Sequence, residues 1–372
     1  MKKMLQKTLI AGSMALLVLG SCQKNIDKSP VAINEVTQPL HPPKELKDFL
    51  QVNLVGDNND FNPARVDNSL INAWGIAFSP LETVWVSSMG AGFGEVYKAD
   101  GSDALPHVTI PSPIAETGGH PTGVIFYGGA GFRLPSNDKP ARFIFAGADG
   151  VISGWNGGTA AVRKINDAGE LYAGIALATD GQYDFLYVAN FLEGKIDVFD
   201  TSWTEVNKPF VDPDLPLGYG PFNIQNVDGK LYVMYAKIGA NPAQGKVVSI
   251  APGNGFVDIF NPDGSFVQRF ISAGQLNAPW GITKAPAGFW NDDSDIQDII
   301  LVGNFGDGHI NAYSADGVFQ GQLRAHGNPI AIERLWGIAF PPANSTTFDH
   351  YQLFFAAGPG GEQHGLFGVI KR

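Results

Sequence analysis

Asn72-Ala73-Trp74-Gly75-Ile76-Ala77 decides the fold, because its core does not occur only once. A short glycine-containing apolar motif returns as Trp74-Gly75-Ile76-Ala77, Pro121-Thr122-Gly123-Val124, Ala173-Gly174-Ile175-Ala176, Pro221-Phe222-Asn223-Ile224, Trp280-Gly281-Ile282-Thr283 and Trp336-Gly337-Ile338-Ala339. The copies are spaced by roughly 48 to 58 residues, the length of one four-stranded propeller blade with its loops. The segments downstream of the copies also repeat. A β-rich run comes next, such as Phe185-Leu186-Tyr187-Val188-Ala189-Asn190 or Ile299-Ile300-Leu301-Val302-Gly303-Asn304. A glycine turn then leads into a third strand, Lys195-Ile196-Asp197-Val198-Phe199 or His309-Ile310-Asn311-Ala312-Tyr313. Asp-Gly pairs at 100–101, 263–264 and 316–317 mark hairpins into a fourth strand, since the tight turn needs positive φ.

Six copies predict an all-β chain folded as a six-bladed β-propeller. After Trp336 the chain supplies an inner strand, a second (352–357) and a third (365–370), and then stops one strand short. Residues 49–55, FLQVNLV, are expected to supply it, so that the last blade is closed by the N-terminal strand and no open edge is left.

The rest of the chain divides by composition. Lys2, Lys3 and Lys7 precede an apolar run, Leu9 to Leu19, that is short for a membrane span, and Leu19-Gly20-Ser21-Cys22 matches a bacterial lipobox. Residues 1–21 therefore read as a lipoprotein signal peptide, with Cys22 as the lipidated N-terminus. Residues 22–46 read as a polar, Pro-containing tether, and 47–372 as the propeller. The expected location is the cell envelope, held to a membrane through the lipid on Cys22, with Gln23 favouring the outer membrane. Cys22 is the sole cysteine, so the fold has no internal disulfide and must draw its stability from its core. Glycine is 46 of 372 residues, well above the usual ~7%, which agrees with many turns. Loss of the three signal lysines takes the formal net charge from −11 to −14, which argues against nucleic-acid partners.

In this topology the loops entering the innermost strands and the turns between second and third strands share one face, around the mouth of the axial channel. The first group brings Asn72, His120, Tyr172, Tyr219, Asn277 and Glu333. The second brings Met89, Asp149, Asn190, Glu193, Asn304, Asp307, Glu362 and His364. Asn190-Phe191-Leu192-Glu193-Gly194 and Asn304-Phe305-Gly306-Asp307-Gly308 are close copies. Asn190, Glu193, Asn304 and Asp307 are the expected centre of a site for a hard divalent cation such as calcium, since amide and carboxylate oxygens suit it. Trp74, Trp280 and Trp336 offer stacking surfaces, and His120, Asn223 and His364 polar contacts, for a small-molecule, carbohydrate or protein ligand. Each has a structural alternative: Asn and Asp before glycine form turns, and the tryptophans pack between blades. Asp197 and Asp258, at matching strand positions, are expected to face solvent. His107, His326 and His350 lie outside the convergent loops.

The stretches Phe143-Ile144-Phe145, Asp149-Gly150-Val151-Ile152-Ser153-Gly154-Trp155-Asn156, Leu301 to Gly308 and His364-Gly365-Leu366-Phe367-Gly368 add to the repeats. With them, the chain from about Asn53 to Val369 resembles a functionally uncharacterised family of exported bacterial propeller proteins, some with PEP-CTERM sorting tails. At greater distance it is similar to NHL-repeat and gluconolactonase-like propellers. The resemblance implies the fold and no established activity; the gluconolactonase-like proteins hold a divalent cation at the channel mouth, and none of their ligands aligns here. No G-x-S-x-G elbow, H-E-x-x-H helix or Walker A loop is present, and a lipidated Cys22 removes the only candidate cysteine nucleophile. Three classes of function stand open: a binding propeller with its ligand at the mouth, a divalent-metal-assisted hydrolase or lactonase using the same mouth, and a structural module of an envelope assembly.

Overall fold

The computed structural model describes residues 48–372 apart from 242–244 and 291–297, so Cys22, the signal peptide and the tether lie outside the described residues. Six sheets of four or five strands form the blades of a β-propeller. The innermost strands are Ala73–Phe78, Pro121–Phe126, Tyr172–Asp180, Tyr219–Val227, Pro279–Lys284 and Leu335–Ala339, one from each motif copy, and they begin blades 1 to 6. In blade 6 the order outward is Leu335–Ala339, Leu353–Ala357, Leu366–Lys371, Leu50–Gly56, with the short Arg65–Val66 beyond. Leu50–Gly56 runs antiparallel to the C-terminal strand from Leu50 opposite Lys371 to Gly56 opposite Leu366. The N-terminal strand thus closes the last blade.

The glycine of the motif has a physical reason. A Cβ on Gly75 would lie 2.7 Å from Thr122 O, on Gly281 2.6 Å from Trp336 O, and on Gly337 2.6 Å from Trp74 O. Gly123 likewise abuts Ile175, and Gly174 abuts Asn223. In blades 1, 2, 3, 5 and 6 the innermost strand therefore abuts the next blade at its glycine, and blade 6 returns to blade 1. Only a residue without Cβ allows that approach. Blade 4 has Asn223 at this place, and its amide Nδ2 instead donates to Trp280 O at 2.8 Å, bridging to blade 5.

Hydrophobic burial follows the same ring. Six clusters lie between neighbouring blades, for example Val84, Val86 and Tyr97 of blade 1 against Phe354, Phe367 and Val369 of blade 6. Since both faces of every blade are covered, strands do not alternate apolar-in and polar-out. This corrects the expectation for Asp197 and Asp258, which are 4% and 0% exposed. They belong to a set: Glu95, Ser153, Asp197, Asp258 and Asn311 occupy equivalent points of the third strands, opposite Val86, Phe145, Val188, Val233 and Val302, and all five are buried.

Candidate functional site

The mouth of the channel is shaped by backbone geometry just ahead of each motif. Asn72, Ala278 and Arg334 have φ of 50°, 49° and 54°, and each stands two residues before a motif tryptophan. Left-handed backbone at a non-glycine residue is strained, and a well-packed surrounding must hold it. Every innermost strand also carries a bulge at the motif, which turns one side chain out of the sheet alternation. In blades 1, 4, 5 and 6 that side chain is Trp74, Phe222, Trp280 or Trp336.

These aromatics form a seventh cluster on the axis with Phe191, Phe305 and small residues. Trp74 stacks on Trp336 with centroids 3.4 Å apart, and Trp280 meets each of them edge-on at 5.9 Å. Phe305 lies 4.1 Å from Trp336, and Phe222 touches Phe191, Phe305 and Trp336 at 5.4, 5.9 and 5.6 Å. Trp336 Nε1 donates to Asn72 Oδ1 and Trp280 Nε1 to Ala173 O, both at 3.0 Å, while the buried Trp74 Nε1 has no acceptor. The three tryptophans are therefore no open platform for a ligand: at most 5% of each is exposed, and their faces are used against one another. Deeper on the axis, a void of about 20 Å³ lined by Gly75, Gly123, Asn223, Gly281 and Gly337 has room for about one water molecule. Asn223 is 1% exposed, and its role there is the bridge to blade 5.

The polar residues around this plug are divided among their own turns. Asn304 Oδ1 accepts from Asn277 N at 3.1 Å and its Nδ2 donates to Gln275 O at 2.8 Å. Ser88 does the same in blade 1, accepting from Ile71 N at 2.9 Å and donating to Ser69 O at 2.6 Å. The side chain ending the second strand thus clamps the loop entering the innermost one. Asp307 accepts from Asn277 Nδ2 and from His309 N, at 3.2 and 3.1 Å. Two blades away, Asn190 Nδ2 donates to Glu170 and Asp197 at 2.9 and 2.8 Å, and Glu193 N donates to Asn190 Oδ1 at 3.3 Å, with the Glu193 side chain exposed. Phe191, Phe222 and Phe305 lie in contact between the two turns. The expected metal set Asn190, Glu193, Asn304 and Asp307 is thereby split into two networks. Among the described residues, no group of three or more His, Cys, Asp or Glu is placed to share a metal ion.

His120 and His364 serve blades 2 and 6 and share no partner. The half-exposed His120 has Nδ1 3.8 Å from Asp149 Oδ2, and burial pushes the Asp149 carboxyl up. His364 Nδ1 lies 2.8 Å from Asp57 Oδ2 and 2.9 Å from Asn58 Nδ2, which ties the last turn of blade 6 to the chain leaving the N-terminal strand.

This face also carries an open rim groove of about 390 Å³, lined by Ile250, Gly306, Asp307, Ala331, Glu333 and Arg334. Arg334 lies over the Phe305 ring at 4.7 Å, and the exposed Glu333 accepts from Gly361 N at 3.1 Å. Asp307 and Glu333 were legible from loop position. Arg334 and Ile250 were not, because the arginine acquires its place from left-handed backbone that sequence spacing does not reveal.

The described chain is thus a six-bladed propeller with a plugged axis and a mixed-charge groove on its loop face. It belongs to the family that includes Uncharacterized protein R648 of Acanthamoeba polyphaga mimivirus, to which it is 32% identical over 354 residues, covering 91% of this chain and 84% of that one. Uncharacterized protein L690 of the same virus is 31% identical over 357 residues, with 91% and 90% coverage. These relatives are viral, and give no support to the exported bacterial origin expected from resemblance. No family model matches the chain. Among solved structures, a GH93 α-L-arabinofuranosidase of Fusarium graminearum aligns with a TM-score of 0.54 at 12% identity over 88% of this chain and 98% of that one. Virginiamycin B lyase from Staphylococcus aureus aligns at 0.50 with 16% identity, over 88% and 100%. At such identity the likeness is one of fold.

Proposed function

We propose that the protein is a binding propeller, tethered to an envelope membrane through Cys22, that holds a small polar ligand in the rim groove of its loop face. The observation that carries this reading is the groove itself. It offers carboxylates from Asp307 and Glu333 and a guanidinium from Arg334 above an axis that the aromatic plug closes. Mixed donors and acceptors beside an apolar wall suit a carbohydrate or another hydroxyl-rich molecule. Screening a glycan and small-molecule panel by thermal shift, on the parent and on Glu333→Ala/Arg334→Ala, tests it. A ligand kept in full by the double variant places the site elsewhere. Calcium, chelator and a lactone and ester panel form a second arm, and chelator-sensitive turnover replaces this reading with metal-assisted hydrolysis. The anchor is tested by labelling with a palmitate analogue: equal labelling of the parent and Cys22→Ala removes it.

A further inference from the structure

The junction of blades 6 and 1 holds a cleft that the loop-face reading does not use. Its volume is about 510 Å³, and its lining includes Arg65, Asp67, Ser69 and Glu95, with Leu105 and Pro106 as an apolar wall. Glu95 is 3% exposed, and its Oε1 has no hydrogen-bond partner. A buried, unpartnered carboxyl oxygen is costly, so the fold must satisfy it otherwise.

The repeat shows what this position takes in other blades. Glu95, Asp197 and Asp258 occupy the same point of their third strands. Asp197 Oδ1 has Lys195 Nζ at 2.7 Å, and Asp258 Oδ1 is bonded by Arg269 Nε. Each of these two acids therefore meets a side-chain cation from its own blade. In blade 1 the nearby cation is Arg65, and it is committed elsewhere: Nη2 lies 2.7 Å from Asp103 Oδ2 and Nη1 donates to Gly101 O at 3.1 Å. Asp67 is occupied as well, accepting from Ser69 N, Ser69 Oγ and Tyr97 Oη at 3.1, 2.6 and 3.0 Å. Burial works against ionisation of Asp67, yet these hydrogen bonds hold its carboxyl below the usual range. The cleft thus holds the carboxyl groups of Asp67, Glu95 and Asp103 against the one guanidinium of Arg65, and at the register of Lys195 blade 1 has Phe93, whose ring stacks on His107 at 4.0 Å and brings no charge to Glu95.

We infer that this cleft binds an alkylammonium group, whose N–H bonds satisfy Glu95 while its carbon chain lies along Leu105 and Pro106. The ligand supplies the cation that the sequence of blade 1 omits. Burial, with Asp67 and Asp103 nearby, pushes the Glu95 carboxyl up to about 7, so ammonium binding should strengthen as the pH rises through neutrality. A side-chain hydrogen bond with Ser69 and the charge of Arg65 oppose that upward push on the carboxyl, and the other groups facing it are Tyr97 and His107.

The test is calorimetric titration of the full chain with n-butylammonium, using 1-butanol and calcium as comparison probes. Binding at about pH 8 should weaken by about tenfold or more at about pH 5. Glu95→Gln should weaken it similarly at the higher pH, and His107→Ala should leave the pH dependence in place. Leu105→Arg, on the exposed wall, should block the cleft without disturbing the core. The groove variant Glu333→Ala/Arg334→Ala should bind butylammonium as the parent does, so failure of one site is distinguishable from failure of the other. Equal binding of 1-butanol, affinity unchanged in both Glu95→Gln and Leu105→Arg, or calcium taken up at Glu95 in place of the ammonium overturns the inference.

Discussion

The axis and the junction of blades 6 and 1 are both places where residues distant in sequence converge, yet the fold uses the convergence differently. At the axis, bulges and left-handed residues drive Trp74, Trp280, Trp336 and Phe222 together, Asn304 clamps its own loop, Asn72 accepts from Trp336 of blade 6, and the unpartnered Trp74 Nε1 is sealed inside the plug. At the junction, Glu95 keeps an unpartnered oxygen beside an open cleft. The first arrangement closes a ring and holds it shut; the second leaves one acceptor for something outside the chain. Convergence on an axis is therefore weak evidence of a site, whereas a buried acid that lines an open cleft and lacks the cation met by Asp197 and Asp258 is stronger evidence.

The largest expected effect tests the axial half of that contrast. Trp336→Ala removes a ring in contact with Trp74, Trp280, Phe222 and Phe305, and should destabilise by about 3–5 kcal/mol in chemical denaturation. A loss near zero, with a ligand then able to enter the channel, would mean that the plug is a gate.

Next in size is a stabilisation at the junction. Glu95 has a folded pKa of about 7 against an ordinary 4.5, so the folded chain binds this proton more tightly than the unfolded chain. Its contribution is fully present below about pH 4.5 and is lost as the pH rises through 7. Glu95→Gln keeps the neutral form at every pH, and should raise stability by about 3 kcal/mol at pH 8 and leave it unchanged at pH 4. A variant less stable at both pH values would show that the hydrogen bond with Ser69 outweighs the cost of burying Glu95.

Gly337→Ala should cost about 1–3 kcal/mol, because the new Cβ meets a backbone carbonyl that cannot move without opening the ring. Gly361→Ala, in an exposed turn with open space around it, is the comparison: its strain comes from positive φ alone.

Blade number and the closing strand were legible because a motif recurring six times fixes how many sheets surround the axis. The missing strand after residue 370 and the apolar run at 49–55 complement one another. Site chemistry was less legible. Loop order tells which residues approach the mouth, but not that a bulge will aim Trp336 inward or that Ser88 and Asn304 will share one clamping role. Alternation misplaced Asp197 and Asp258, since it assumes one wet face and a blade has none. Aligning the third strands would have set Phe93-Gly94-Glu95-Val96-Tyr97 beside Lys195 to Phe199, and shown a buried acid lacking its lysine.

The smallest effects decide between structure and metal at the two copied turns. Asn304→Ala leaves Asn277 N without its acceptor and Gln275 O with Asn311 Nδ2 as its remaining side-chain donor, and should cost about 1–3 kcal/mol. Glu193 contributes only an exposed side chain beside Asn190, so Glu193→Ala should change stability by no more than about 0.5 kcal/mol. A cation held jointly by Asn190, Glu193, Asn304 and Asp307 would reverse this order of importance, because a charged ligand matters more than an amide. It would also make both losses depend on calcium, since a cation at a hundredfold excess over its dissociation constant stabilises by about 2.7 kcal/mol. Thermal unfolding of the parent and both variants, with calcium and with chelator, therefore separates the accounts. Clamps give one large loss and one small one, the same in both buffers, and a shared cation gives two losses that vanish together when calcium is withdrawn.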